Sequence, residues 1–211
     1  MAAGFLTGVR VLDLSQYLPG PMATRILADL GADVVKVEPP EGDPLHHMNP
    51  LSGVQGAGAG ERYYGSVNAG KSVIRLDLKS PDGKTAFEHL IERADVLLES
   101  YRPGVLERLG FGRDRLHKIN PGLIHCALTG YGQSGPRSGD AGHDIGYAAL
   151  TGGLAASGPV DRPSFNWPPV VDHSGAQQAA IAMLGALAAK DRQGCFIDVA
   201  LTDSYLAWQD W

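Results

Sequence analysis

Apolar positions in this chain come in short blocks separated by turn residues, and the blocks alternate between two periods. Val11, Leu12 and Leu14 give Arg10–Leu14 the compact apolar pattern of a buried strand. After Gly20-Pro21, the residues Met22, Ala23, Ile26, Leu27 and Leu30 fall on one face of a helix that Gly31 is placed to end. Asp33–Glu38 is a second strand, closed by Pro39-Pro40. A strand, a helix and a strand with connections this short predict parallel pairing. Further strands are read at Val73–Leu78, Asp95–Glu99, Leu123–Leu128 and Phe196–Ala200. Ser80 caps a helix that has Pro81 at its first position and runs to Arg93. Short helices are expected at Pro103–Leu109 and Arg113–Ile119, an Ala/Leu-rich helix over Ala176–Lys190, and a last helix from Thr202 to Trp211. Residues 41–70 show no sustained period and read as an irregular excursion. Thr129–Asn166 is rich in Gly, Pro and Ser around an apolar stretch, Tyr147–Leu154. The alternation predicts an α/β layered domain with a mostly parallel sheet and flanking helices.

Composition narrows this picture. The 211 residues, 44% hydrophobic and 19% charged, suffice for one substantial core but not for two large domains. A net charge of −5 excludes a broad basic surface for nucleic acid. A phosphate-bearing ligand therefore needs a local basic patch, for which Lys36, Arg62, Lys71, Arg75 and Arg102 are the candidates. No apolar run reaches membrane-spanning length, and Met1-Ala2-Ala3-Gly4 lacks the flank and core of a signal peptide. A soluble, reducing, cytoplasmic setting is the expectation, with Cys126 and Cys195 as buried thiols. His46-His47, His89 and His125 show no ligand spacing with Cys or carboxylates, so no metal is expected. Gly56-Ala57-Gly58-Ala59-Gly60 does not follow a strand and has the wrong glycine spacing for a dinucleotide fingerprint; it reads as a flexible loop.

Two residues carry candidate chemistry. His143, in Gly142-His143-Asp144-Ile145-Gly146-Tyr147, is of the residue type best suited to acid or base work near neutral pH, although a lone histidine is also an ordinary surface residue. Asp172, in Val170-Val171-Asp172-His173-Ser174-Gly175, stands directly before the long helix. There it is either a helix cap or a carboxylate held by the free N–H groups and dipole of the helix start.

Longer segments resemble a known family. They are Val11-Leu12-Asp13-Leu14-Ser15 with Pro19-Gly20-Pro21, the run from Leu27 to Pro39, and Asn68-Ala69-Gly70-Lys71-Ser72 with Leu76-Asp77-Leu78-Lys79. They continue in Ala94-Asp95-Val96-Leu97-Leu98-Glu99-Ser100-Tyr101-Arg102-Pro103-Gly104, Thr129-Gly130-Tyr131-Gly132-Gln133-Ser134-Gly135-Pro136, Gly142-His143-Asp144 and the Asp172 segment. Taken in order, they are similar to the type III CoA-transferases, which include the α-methylacyl-CoA racemases. The resemblance implies a Rossmann-like, CoA-binding large domain over residues 1–211, without the family's small domain and return segment. It implies an enzyme acting on acyl-CoA, with no cofactor beyond the CoA of its substrate. CoA contacts are implied from Glu38, Lys71, Leu76, Asp77, Arg102 and Gly142, with Asp144 and Tyr147 shaping the thioester end.

Transferases of the family usually carry an aromatic residue at His143, whereas racemases carry Gly-His-Asp there, which favours racemisation. In that reading His143 and Asp172 exchange the α-proton of a 2-methylacyl-CoA from opposite faces. The alternative is CoA transfer through an acyl anhydride on Asp172, and a third reading is a non-catalytic CoA-binding subunit. Departures from the family pattern are Ser72, Pro39-Pro40, Gly146 and His173. The family's chains are longer and interlock as dimers, so a homodimer or a second chain supplying the small domain is expected. The carboxylate that supports the histidine is expected there too. The apolar ending with Trp208 and Trp211 fits that expectation, and Ala148–Gly158 with Phe165 and Trp167 suggests an apolar acyl surface.

Overall fold

Six parallel strands form the centre of the molecule: β1 (Arg10–Leu14), β2 (Asp33–Glu38), β3 (Ser72–Arg75), β4 (Val96–Glu99), β5 (Ile124–Thr129) and β6 (Cys195–Ala200). Their order across the sheet is β3-β2-β1-β4-β5-β6. The computed structural model describes residues 4–47, 59–165 and 167–209. The helices are α1 (Pro19–Asp29), α2 (Ala59–Val67), α3 (Pro81–Ile91), α4 (Val105–Arg108), α5 (Arg113–Ile119), α6 (Asp144–Leu150), α7 (Val170–Leu187) and α8 (Leu201–Ala207). The inner strands divide their side chains between two cores. Val11, Val96, Leu98, Ile124, Cys126 and Leu128 face α1 and α7 through Ala23, Leu27, Val171, Ala179 and Met183. Leu12, Leu14, Leu97 and Leu123 face α3 and α5 through Phe87, Ile91, Phe111 and Leu116.

The strand order reverses between β1 and β4, which pair in register from Val11↔Val96 to Leu14↔Glu99. In open parallel sheets that reversal leaves a crevice beyond the carboxyl ends of the strands, where ligands bind. The β4-to-β5 and β5-to-β6 crossovers advance in the same direction, yet their helices α5 and α7 lie on opposite faces. The two crossovers therefore have opposite hands. The β1-α1-β2 unit, running the other way with α1 on the face of α7, agrees with α5, so the α7 crossover departs from the usual right-handed sense. Its effect is to pack α7 beside α1 and bring the α7 N-terminus toward the crevice.

Several sequence-based boundaries move. Residues 41–70, expected to be irregular, contain a 3-10 turn at Pro44–His47 and helix α2. Gly60 and Gly65 weaken the intrinsic helix signal of α2, and tertiary contacts supply it instead. Tyr63 and Tyr64 pack on Leu18, Leu45 and Val67, and the Glu61 carboxylate meets His46 Nδ1 at 2.8 Å. Residues 56–58 of the Gly-Ala run lie outside the described residues, and Ala59 and Gly60 begin α2. β3 stops at Arg75, because its partner β2 ends at Glu38 and is followed by Pro39-Pro40. Prolines offer no N–H to extend a ladder. Ser80 caps α3 as expected, its Oγ accepting the Gly83 N–H at 3.0 Å. α7 begins at Val170, six residues before the expected Ala176. Cys126 is buried, but Cys195 opens the edge strand β6 and is exposed. Among the described residues no helix is long and apolar enough to cross a membrane.

Candidate active site

Two clefts open along the carboxyl ends of the strands, and Gln16 and Tyr101 line both. The first, about 310 Å³, is walled by Glu38, Leu76, Asp77 and Lys79. The second, about 320 Å³, is walled by Arg102, Gly142, His143, Tyr147 and Asp172. Most residues expected at a site thus sort into two halves of one groove, with the shared pair between them. A third cleft of about 570 Å³, over Glu99, Arg113 and His125, shares the Arg102 wall. Among the described residues no cluster of His, Cys, Asp and Glu is arranged to hold a metal ion.

Asp172 occupies the first turn of α7, with Pro169 at the N-cap, and not the position before the helix that its sequence suggested. The cap comes from elsewhere in the chain. Asp144, buried at the start of α6, accepts the Asp172 N–H on Oδ2 at 2.9 Å. A remote carboxylate can start a helix whose own first residues, Val170 and Val171, carry no cap signal, which explains the misplaced boundary. The cap leaves the Asp172 side chain free at the cleft, half-buried. Burial, with the Asp144 charge added, pushes its carboxyl up to about 7. Burial also raises Asp144, against the pull of the Asp172 and Val171 N–H groups and of His173. Asp144 does not itself line the cleft. Its Oδ1 is buried without a hydrogen-bond partner.

His143 is the N-cap residue of α6. Its carbonyl accepts the Gly146 and Tyr147 N–H groups at 2.8 and 3.2 Å, while its exposed imidazole lines the cleft. Tyr17 meets that ring edge-on, centroids 6.4 Å apart. Gly142 is required by space: a Cβ there would stand 2.4 Å from Tyr147 Cε1. Tyr147 is buried, and its phenol is pushed up to about 12, first by that burial.

The basic candidates divide sharply. Lys71 was expected on a CoA phosphate, but its ammonium is inside the fold. It donates to Asp13 Oδ2 at 2.8 Å, to the Pro21 carbonyl at 2.8 Å and to Asn68 Oδ1 at 2.9 Å. Lys36 is fully buried against Asp43 at 3.0 Å. Arg75 lies 3.8 Å from Glu38, and Arg102 is exposed at the groove. Glu38 is buried, accepting the Tyr64 hydroxyl at 2.5 Å.

Sequence reasoning missed Gln16, Tyr17 and Tyr101 as groove residues. Their signal was positional: they follow β1 and β4, the two strands between which the order reverses. It missed Tyr63 as well, whose phenol is raised to about 12 by burial and by the charge of Asp172. α2 therefore lies within electrostatic reach of the carboxylate.

Known proteins match this chain over nearly its whole length. The profile of CoA-transferase family III matches residues 6–211. The acetyl-CoA:oxalate CoA-transferase of Acetobacter aceti is 38% identical over 97% of this chain and 53% of its own length. The succinyl-CoA:glutarate CoA-transferase of Mus musculus is 38% identical over 96% of this chain and 46% of its own. A CAIB/BAIF family protein from Brucella suis superposes with a TM-score of 0.90 at 33% identity, over 99% of this chain and 56% of that one. The chain spans about half the length of the curated relatives it matches.

Proposed function

This chain belongs to CoA-transferase family III, and from that premise we propose that it moves CoA between carboxylic acids through Asp172. The observation that carries the reading is a carboxylate raised to about 7, standing at the first turn of a helix in a cleft at the strand-order reversal. An ionised carboxylate with an elevated pKa is a better nucleophile than one in water. In the proposed reaction an Asp172 oxygen attacks the thioester carbonyl, forming a mixed anhydride and releasing the CoA thiolate. The thiolate attacks the aspartyl carbonyl, the donor acid leaves, and CoA is held as an aspartyl thioester. An acceptor carboxylate then attacks that thioester and the steps run in reverse, regenerating Asp172. The Asp172 and Val171 N–H groups are already held by Asp144, so the start of α6 is left to donate to the oxyanions.

The same reading assigns CoA to the whole groove. The Glu38, Leu76 and Asp77 cleft takes the nucleotide end, Gln16 and Tyr101 border the pantetheine arm, and Arg102 is the exposed cation for a phosphate. The acyl group then lies against Gly142, His143 and Tyr147. The activity is placed in the cytoplasm, with a second copy or a second chain closing the site.

A specific observation favours a second reading, racemisation of a 2-methylacyl-CoA. His143 lines the same cleft as Asp172, so imidazole and carboxylate are available to one α-carbon. The relatives named above are transferases, which is why transfer leads. Incubation with acyl-CoA followed by hydroxylamine decides between them. Transfer predicts a hydroxamate on Asp172. Racemisation predicts none, together with uptake of solvent deuterium at the α-carbon.

A further inference from the structure

The turn between β1 and α1 gives Gln16 to both clefts and Tyr17 to the second. Its backbone is unusual. Tyr17 has φ 62°, a left-handed conformation that is strained for a side-chain-bearing residue and persists only where the surroundings over-determine it. Four charged groups, all with side chains out of solvent, hold the backbone on either side of it. Lys36 Nζ donates to the Ser15 carbonyl at 2.7 Å and pairs with Asp43 at 3.0 Å. Asp13 Oδ1 accepts the Ser15 N–H at 2.9 Å, and the Ser15 hydroxyl as well. Lys71 holds Asp13 Oδ2 and, on the far side of the turn, the Pro21 carbonyl. Between these anchors the Gln16 N–H reaches Ser100 Oγ at 3.1 Å, which ties the turn to the loop after β4.

Two ammonium and two carboxylate groups make the cluster neutral, the condition under which charges are tolerated in an interior. Burial alone would raise Asp13, but Lys71 and Lys36 hold it well below the usual carboxylate range. An ammonium has three donors, and Lys71 uses all three on protein acceptors.

We propose that Lys36 and Lys71 are positioning residues: paired with Asp43 and Asp13 inside the fold, they hold the Gln16–Tyr17 turn in its left-handed form and so set the shape of both clefts, and neither meets a phosphate of the ligand. The part of this concerning the ligand rests on the CoA reading above; the part concerning the turn does not.

The test uses Lys36→Met and Lys71→Met, with Lys118→Met as an exposed control. The charge-balanced pairs Lys36→Met/Asp43→Asn and Lys71→Met/Asp13→Asn serve if a single change unfolds the chain. All readings are taken well below each variant's melting temperature. Without ligand, the proton resonances of the His143 ring report the edge-on Tyr17, and they shift in the Lys36 and Lys71 variants but not in the control. With ligand, the affinities for CoA and for phosphate-free pantetheine fall together, by about tenfold or more. Loss of CoA affinity with pantetheine binding intact makes the lysines phosphate ligands and overturns the proposal. Unmoved His143 resonances with a lowered melting temperature make them merely structural and also overturn it. If the unaltered protein binds neither compound, the CoA reading fails while the His143 resonances still decide the role of the lysines.

Discussion

Asp144 links the start of helix α7 to the ionisation of Asp172, and two substitutions separate its two effects. Asp144→Ala removes the acceptor of the Asp172 N–H and the neighbouring negative charge together. Losing a helix cap costs about 0.5–2 kcal/mol, and hydrogen bonds to charged groups lie at the upper end of the range for such bonds. The expected loss is about 1–2 kcal/mol, or roughly 2–8 °C in Tm for a chain of this size. Asp144→Asn keeps a carbonyl oxygen for the N–H and removes only the charge, so its loss is a few tenths of a kcal/mol by the same rule. In both variants Asp172 ionises more easily. Its midpoint, about 7, moves down but stays above that of an exposed aspartate, because burial is the larger cause and remains. Thermal unfolding gives the first quantity, and a carbon-13 titration of the Asp172 carboxyl gives the second. A Tm for Asp144→Ala equal to that of the unaltered protein would refute the capping role. An Asp172 midpoint that stays fixed or rises in Asp144→Asn would refute the electrostatic one.

Stability should fall with rising pH in the window set by Asp172. Its pKa is raised from 3.8 to about 7, so the folded state holds that proton more tightly; the contribution is complete below 3.8 and lost as pH rises through 7. Asp172→Asn should flatten that part of a denaturation profile, and an unchanged slope would count against the raised carboxyl. Gly142→Ala places a methyl group 2.4 Å from Tyr147 Cε1 and should reduce turnover by about tenfold or more, with overpacking costing about 1–3 kcal/mol by urea titration; full activity would show that Tyr147 does not shape the site. Phe87 and Phe111 are buried and meet edge-to-face with centroids 4.8 Å apart, so Phe87→Ala should cost about 3–5 kcal/mol in the denaturant midpoint; less than about 1 kcal/mol would contradict that packing.

Much of the fold was legible because buried parallel strands write themselves as apolar runs. Arg10–Leu14 and Asp33–Glu38 were read with the boundaries the structure shows. What escaped was structure created by contacts distant in sequence. α2 depends on Tyr64–Glu38 and His46–Glu61, and the first turns of α7 depend on Asp144, none of which a local window can see. The same limit applies at the site. His143 and Asp172 were recognised from short motifs, and the fold brings both to one cleft. Lys71 was assigned from its motif to a phosphate, yet its partners Asp13 and Pro21 lie 58 and 50 residues away. Gln16 and Tyr101 gain their place only from the order in which the strands are laid side by side.

Oxygen-18 carried on the acceptor acid tests the Asp172 chemistry most directly. After a single turnover with acyl-CoA and a labelled carboxylate, the peptide containing Asp172 should be heavier by one labelled oxygen, because the acceptor's oxygen remains on the aspartate when the final anhydride is cleaved. CoA exchanged between acids with no label on that peptide would show that Asp172 never bonds to the acyl group.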